Sequence, residues 1–358
     1  MWNTLKRLSL GIIVIFLASA VLLVSDLKHR ASEGKGVPRI GLLQHASTML
    51  LDEGTRGMID GLAAKGFVEG KTLIIDKYNS EGDIAVANSI AKQMVNSQYD
   101  LLLTCSTISL QAVANANRGK KTVQVFGLSA DPPGAGVGIS RENPLQHPAN
   151  LVGFGTFLPA GESFRIAKKS YPGLKAVGVA WNPAESNSRA FTESAREACG
   201  PMGIELLEAT VENSNGVLES VNSLISRGAE AIWVGGDVTV SVAIDSVIAA
   251  ARKARIPVFT ITPGKPDRGT LFDYGADFYV IGKQTGDLAA RILHGANPKE
   301  IPISNFVPPW LVVNKTALRD LKDPWQLPDE LLRKADVMVD DAGIHARKAS
   351  KEPSPPKK

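Results

Sequence analysis

Cysteine is scarce in this sequence of 358 residues, which contains only Cys105 and Cys199. Two cysteines in an exported chain could pair, but these two fall in segments that we assign to different domains, so we expect free, mostly buried thiols. The five histidines form no cluster, and no Cys/His spacing typical of a metal site occurs. Cys105 has no neighbouring base, and no G-x-S-x-G motif is present. We therefore expect no metal, no cofactor and no catalytic residues.

A strong excess of one charge is also lacking. The formal net charge is +4, and the basic residues concentrate at the two ends of the chain. Residues 1–36 carry +3 and residues 347–358 carry +4, which leaves −3 for the body between them. A slightly acidic body argues against a surface that binds nucleic acid.

Only one long hydrophobic run is present, Leu8–Val24, and Lys6 and Arg7 precede it. A positive segment followed by an uncharged apolar core is typical of an export signal. A run of 17 residues is at the short limit for a membrane-spanning helix, so both a cleaved signal and a retained anchor stay open. There is no cysteine near the end of this run, so we do not expect a lipid anchor. In either case the body is expected to be periplasmic or extracytoplasmic, possibly tethered to the inner membrane by residues 8–24.

After Gly36, short apolar runs alternate with segments whose apolar residues recur at helical spacing. Apolar strands that are each followed by a helix are typical of a parallel sheet covered on both faces. The pattern restarts near residue 155, so we predict an α/β protein with two doubly wound parallel-sheet lobes and a hinge. The predicted divisions are a signal or anchor at 1–34, lobe 1 at 35–155 plus about 275–310, lobe 2 at 156–274 plus about 311–340, and a disordered basic tail at 341–358. We also expect helices over 238–253 and 329–339.

Small polar side chains follow several of the predicted strands. The clearest case is Ala176–Phe191, in which a strand ending at Trp181 leads through a turn into a helix start rich in small polar residues. Open α/β sheets bind ligands at the carboxyl ends of their strands, where helix N-termini offer free N–H groups. Hydroxyls, amides and a few carboxylates suit a small polar molecule. The alternative is that Ser186, Asn187 and Asp237 only cap the helices that follow them.

Nine motifs, in this order along the chain, resemble those of the ABC transporter substrate-binding protein family typified by tryptophan-binding, TrpX-like proteins. They are PRIGLLQ at 38–44, GLAAKGFVEGKTLIIDKYNSEGD at 61–83, TCSTISLQA at 104–112, ADP at 130–132, NLVGF at 150–154, GVAWNPAESNS at 178–188, GGDVTV at 235–240, IPVF at 256–259 and YGADFYVIGKQTGDLAARILHGANP at 274–298. The resemblance covers about residues 37–340 and implies the type I periplasmic-binding fold.

The resemblance implies capture of a small ligand between two lobes that close by a hinge motion. Delivery would then be to an ABC permease with an ATPase subunit, by a body that we expect to be monomeric. By matching position, the ligand-binding candidates are Gln44, Ser106, Thr107, Asp131, Glu185, Asn187, Ser188, Asp237 and Tyr274. We expect the helix start at Ser106 and Thr107 to receive an anionic group and Asp237 to pair with a cationic group, which would fit an amino-acid-like ligand.

The chain departs from the family pattern in two places. Val238 follows Asp237 where the family usually has Asn, and Thr262–Gly269 is basic and rich in proline. Two other functions stay open on the sequence alone. One is a membrane-anchored ligand sensor or adaptor that uses the same fold. The other is an exported enzyme with Asp131, Glu185 and Asp237 as acid/base residues.

Overall fold

The computed structural model describes residues 36–347. The run Leu8–Val24, which we interpret as an export signal or anchor, lies outside these residues. Across residues 36–347, no helix combines the length and the apolar character needed to cross a membrane. The described part of the chain forms two sheets, each flanked by helices.

Lobe 1 is built on a sheet of six strands within the described residues. Its strands are β1 (Arg39–Gln44), β2 (Ile74–Asn79), β3 (Leu101–Cys105), β4 (Val123–Ser129), β5 (Leu151–Gly155) and β11 (Ser304–Asn305). Its helices are α1 (Met49–Ala63), α2 (Ile84–Asn96), α3 (Thr107–Ala116) and α9 (Phe278–Leu293). The strand order is β11-β5-β4-β3-β1-β2, and every pair is parallel. The central strand β3 is buried at every position, as expected for a parallel strand covered on both faces.

Lobe 2 has eight strands in the part of the chain that the structure describes. They are β6 (Ala176–Trp181), β7 (Glu205–Thr210), β8 (Ala231–Val234), β9 (Val258–Thr260), β10 (Phe272–Ala276), β12 (Pro309–Asn314), β13 (Val337–Asp340) and β14 (Gly343–Ala346). Its helices are α4 (Gly161–Ser170), α5 (Ser186–Cys199), α6 (Val217–Ser226), α7 (Val238–Val242), α8 (Ile244–Lys253) and α10 (Asp329–Lys334). The strand order is β14-β13-β12-β10-β9-β8-β6-β7. The pairs β10–β12 and β13–β14 are antiparallel, so this sheet is mixed rather than wholly parallel.

The expected helix over residues 329–339 is wrong in its second half. Helix α10 ends at Lys334, because Ala335 adopts an extended ψ of 130°. Val337 and Val339 are buried on alternate positions, and this period of two belongs to strand β13. The β-branched valines favour the strand at this position.

Two further expectations in lobe 2 need correction. The expected disordered tail from residue 341 is wrong for its first part, because Gly343–Ala346 pair antiparallel with β13. The rest of that tail, residues 348–358, lies outside the described residues. The helix expected over 238–253 is divided at Ala243, which leaves helical geometry with φ −98° and ψ 18°.

Helix α9 follows lobe 2 in the chain but packs on lobe 1 through glycine-to-glycine contacts with α1. Both helices carry a G-x-x-x-G pattern, Gly57 and Gly61 on α1 and Gly282 and Gly286 on α9. A Cβ atom added at any of these four glycines would meet backbone atoms of the facing helix. The missing side chains therefore allow the two backbones to approach directly, which fixes this late segment of the chain on lobe 1.

The chain crosses between the two sheets three times within the described residues: from β5 to α4, from β10 to α9, and from β11 to β12. Asn305 ties two of these crossings together. Its Oδ1 accepts from the Phe157 N–H at 2.9 Å, and its Nδ2 donates to the Phe157 carbonyl at 2.8 Å. The cysteines lie apart, Cys105 on β3 and Cys199 on α5, and both are free and buried, as predicted.

Candidate functional site

A cavity of about 460 Å³ lies between the two lobes. Lobe 1 contributes the segment before and within the start of α1, the start of α3, and residues just after β4. Lobe 2 contributes the start of α5, the α7 region and the loop after β9. Its lining is mainly apolar, and the larger apolar side chains are Met49, Leu50, Leu51, Leu128, Leu158, Phe191, Val238, Val242, Ile244, Ile261 and Phe278. The volume and the apolar lining are both typical of a small-molecule site.

The start of helix α3 presents backbone donors on the lobe 1 wall. Ser106 caps the helix, since its Oγ accepts from the Ser109 N–H at 3.0 Å. Thr107 Oγ1 accepts from the Ala130 N–H at 3.2 Å, which ties the helix start to the end of β4. The N–H groups of Thr107 and Ile108 have no intrahelical acceptor, because they belong to the first turn. Together with the positive end of the helix dipole, they favour an anionic group such as a carboxylate.

Ser106 holds this helix start in a strained conformation. Its φ of 133° lies in the region that favours glycine, although serine carries a Cβ. Backbone strain of this kind persists where the surrounding structure requires it, often at a binding site. A second helix start lies on the same wall, at α1, where Thr48 Oγ1 accepts from the Leu51 N–H at 3.3 Å. Lobe 1 thus offers two positive helix ends to the cavity.

Asp237 lies on the lobe 2 wall and is 3% exposed. Its Oδ2 accepts from the Asn182 N–H at 2.7 Å and from Ser188 Oγ at 2.5 Å, and its Oδ1 accepts from the Val240 N–H at 2.7 Å. Burial, together with the nearby charge of Glu185, raises the pKa of Asp237 well above its ordinary value. A cation in the cavity would favour the charged carboxylate.

Glu185 holds the start of α7 from behind the cavity wall. Its two carboxylate oxygens accept from the N–H groups of Val238 and Thr239, both at 2.9 Å, and from Thr239 Oγ1 at 2.6 Å. Glu185 is buried and does not line the cavity. Its role is therefore to pair with the free N–H groups at the start of α7 and to position this short helix, which carries much of the lobe 2 wall.

Asn187 lines the cavity and carries an acceptor that has no donor within the described residues. Its Nδ2 donates to Glu185 Oε2 at 2.9 Å and to the Gly236 carbonyl at 2.6 Å. Because both partners are acceptors, the amide orientation is determined, and Oδ1 is the atom left over. Oδ1 is buried and makes no hydrogen bond within the described residues, although Asn187 is only 4% exposed and lines the cavity. Because Asn187 lines the cavity, a bound molecule can supply the missing donor.

Around the starts of α3 and α5 the two walls therefore have opposite polarity, and the cations of the lobe 2 wall, Lys265 and Arg268, lie in the loop after β9. Lobe 1 offers N–H donors and positive helix ends, whereas lobe 2 offers the free oxygen of Asn187 beside the Asp237 carboxylate. Apolar side chains occupy most of the remaining surface. This arrangement suits a molecule with an anionic and a cationic group at one end and an apolar group at the other.

The sequence pattern of the ABC transporter substrate-binding protein family matches residues 39–339. The chain belongs to this family. A tyrosine-binding protein from Clostridioides difficile (strain R20291) is 26% identical over 294 residues, covering 82% of this chain and 84% of that protein. The family and the two-lobed α/β fold predicted from the sequence are confirmed.

Two solved structures of similar proteins cover 85% of this chain and 100% of their own. A conserved domain protein from Vibrio cholerae O1 biovar El Tor is 32% identical, with a TM-score of 0.79. An ABC domain from Streptococcus pneumoniae, solved in complex with L-Trp, is 26% identical, with a TM-score of 0.78.

In this substrate-binding protein, four of the nine candidate site residues line the cavity between the lobes: Ser106, Thr107, Asn187 and Asp237. Glu185 and Ser188 lie behind them, where Glu185 binds the start of α7 and Ser188 donates to Asp237. The departure at Val238 places an apolar side chain on the wall, where the family pattern has an amide.

The other three candidates lie outside the lining of this cavity. The Gln44 amide donates to the Ala46 carbonyl at 2.8 Å and to Asp52 Oδ1 at 2.6 Å, which fixes it inside lobe 1. Asp131 pairs with Arg141 at 2.7 Å and borders a different cavity. Tyr274 packs against the hydrophobic core of lobe 2.

Sequence reasoning missed Arg268 and the loop around it. The segment Thr262–Gly269 stood out only as a basic, proline-rich departure from the family pattern. In the structure, Thr262, Pro263, Gly264, Lys265 and Arg268 all line the cavity. The available signal was the departure of this segment from the family pattern. Because the segment lines the cavity, its residues affect which ligands the cavity can accept.

Proposed function

We propose that this protein is the solute receptor of an ABC-type importer and that it captures an α-amino acid between its lobes. The observation that carries the proposal is the opposite polarity of the two walls. The first-turn N–H groups of α3 receive the carboxylate of the amino acid. The ammonium donates to Asn187 Oδ1 beside Asp237, which supplies the missing donor.

The apolar walls suit a large, aromatic side chain. Leu128 and Phe278 come from the lobe 1 side, and Phe191 and Ile261 come from lobe 2, so a flat ring would contact apolar surface on both sides. Two relatives support this class of ligand, since one is a tyrosine-binding protein and another was solved with L-Trp.

Delivery to a permease with an ATPase subunit follows from membership of the family. The receptor works outside the cytoplasm, and the apolar run Leu8–Val24 serves as its export signal or its anchor. The three crossings between the sheets form the hinge about which the lobes close on the ligand. No feature of residues 36–347 favours the sensor or adaptor function over this one.

The three carboxylates that the sequence offers to an enzyme, Asp131, Glu185 and Asp237, all make hydrogen bonds or ion pairs within the protein. Glu185 and Asp237 each accept several hydrogen bonds from α5, α7 and the turn before α5. Asp131 is paired with Arg141 and borders another cavity. The geometry therefore supports binding without turnover.

A thermal-shift screen of the purified protein against the twenty common amino acids tests this function. A ligand that binds only the folded state raises the melting temperature with increasing concentration. We expect a rise with at least one aromatic amino acid, and calorimetry should then give one site per chain with no chemical conversion. The absence of any shift across the amino acids, together with a shift caused by a different class of solute, would contradict the proposal.

A further inference from the structure

Arg268 places a guanidinium group on the lobe 2 wall of the cavity. It lies in the proline-rich loop after β9, and its side chain is 13% exposed. Arg268 is one of two cationic residues in the cavity lining, the other being the exposed Lys265. Its position raises the question of which group it faces in a bound molecule.

The guanidinium is held firmly through a single nitrogen. Nη2 donates to the Thr262 carbonyl at 2.8 Å and contacts Asp273 Oδ1 at 3.2 Å and Thr260 Oγ1 at 3.3 Å. Asp273 is fully buried, and it also accepts from Thr260 Oγ1 at 2.7 Å and Thr270 Oγ1 at 3.1 Å. The charge of Arg268 is therefore balanced by Asp273, and its orientation is set before any ligand binds.

The rest of the guanidinium lacks acceptors. Arginine carries five N–H donors, and the hydrogen bonds of Arg268 in the described chain all use Nη2. Nε is buried without a partner. Nη1 lies against Gly264. A Cβ atom at position 264 would collide with Nη1, so the glycine leaves this edge of the guanidinium free of a covering side chain. Arg268 lines a mainly apolar cavity, so the unpaired donors of its guanidinium require an acceptor that a ligand can supply.

We infer that Arg268 selects for an oxygen acceptor at the far end of the ligand side chain. This inference rests on the proposed function and narrows its ligand class. Because Asp273 already balances the charge, a neutral oxygen such as a phenol hydroxyl is sufficient. The cavity thus favours a para-hydroxyphenyl amino acid over one with a plain phenyl ring. An indole offers only an N–H donor to these donors and is disfavoured as well.

Calorimetric titration with L-tyrosine, L-phenylalanine and L-tryptophan tests this inference on the full-length protein, in detergent if the apolar run is retained. A site built around a hydrogen bond rejects analogues that lack the partner. We expect L-tyrosine to bind at least roughly tenfold more tightly than either of the other two.

Arg268→Lys provides the matched variant, because it keeps a cation near the buried Asp273 while removing the Nε and Nη1 donors. The ratio between tyrosine and phenylalanine should fall towards one, with the phenylalanine affinity largely retained. Arg252→Lys is the control, since Arg252 is exposed on α8 and does not line the cavity. The melting temperature of each unliganded variant reports whether the fold is intact.

Three results would overturn the inference. The first is equal affinity of the wild-type protein for tyrosine and phenylalanine, and the second is a ratio unchanged in Arg268→Lys. The third is an equal loss of affinity for all three ligands in a folded Arg268→Lys variant. That result would show that Arg268 contacts the amino-acid head group rather than the side chain. Failure of every amino acid to bind the wild-type protein is a separate result, because it contradicts the proposed function itself.

Discussion

Replacing Asn187 by alanine removes a buried acceptor of a cavity-lining residue that has no donor within the described residues. A hydrogen bond to a charged group contributes about 1.5–3 kcal/mol, so loss of the Asn187 Oδ1 contact should weaken amino-acid binding by roughly ten- to a hundredfold. The stability of the folded protein should fall by less than the free energy of binding. Glu185 and the Gly236 carbonyl each lose the Asn187 Nδ2 donor, but Glu185 keeps its donors from Val238 and Thr239, so α7 stays in place. We expect the free energy of unfolding to fall by about 1–2 kcal/mol.

Ser186→Ala is the matched control for this variant. Ser186 is adjacent in sequence, and its Oγ is likewise buried without a hydrogen bond in the described residues, but it does not line the cavity. Calorimetry with the best ligand from the amino-acid screen should show unchanged affinity for Ser186→Ala and a large loss for Asn187→Ala. Unchanged affinity in Asn187→Ala, or an equal loss in both variants, would refute the assignment of Asn187 to the ligand.

Three further predictions follow from the same contacts. Because the pKa of Asp237 is raised in the folded protein, a ligand ammonium should lower it again, so binding releases a proton and affinity falls as the pH drops below the raised value. Calorimetry in buffers of different ionisation enthalpy measures that proton, and an affinity independent of pH would contradict the ammonium placement. Gly57→Val should destabilise the protein by about 3 kcal/mol in urea unfolding, because its side chain would meet the backbone of α9; an unchanged midpoint would show that the helices separate freely. Tyr274→Phe should leave the ligand affinity unchanged, since Tyr274 packs against the lobe 2 core. A loss of affinity in this variant would show that Tyr274 belongs to the binding site.

Much of the fold was predictable because local patterns agree with the tertiary structure. Buried strands such as Leu101–Cys105 are nearly continuous apolar runs, and several of them precede a helix. The failures occur where a short segment is decided by its neighbours. The strand Val337–Asp340 pairs with β12, which comes from a distant part of the sequence, and without that partner the segment resembles the end of a helix.

The candidate site was predictable to the level of the strand ends but not of the individual side chains. Ser106 and Asn187 line the cavity as expected, whereas Gln44, the last residue of β1, turns into lobe 1. Position after a strand places a residue at the correct edge of the sheet, but the direction of its side chain depends on local hydrogen bonds. Arg268 was missed because its orientation depends on contacts with the Thr262 carbonyl and the buried Asp273, which the sequence of the loop does not reveal.

In the proposed function, each lobe binds one of the two charged groups of a free amino acid. The most direct measurement is calorimetric titration of the protein with L-tyrosine, its carboxamide and its N-acetyl derivative, all with the same ring. We expect one-to-one binding of the free amino acid and an affinity at least about tenfold lower for each blocked compound, since each loses a charged hydrogen bond to one lobe. Equal binding of the free and blocked compounds would contradict the proposed function.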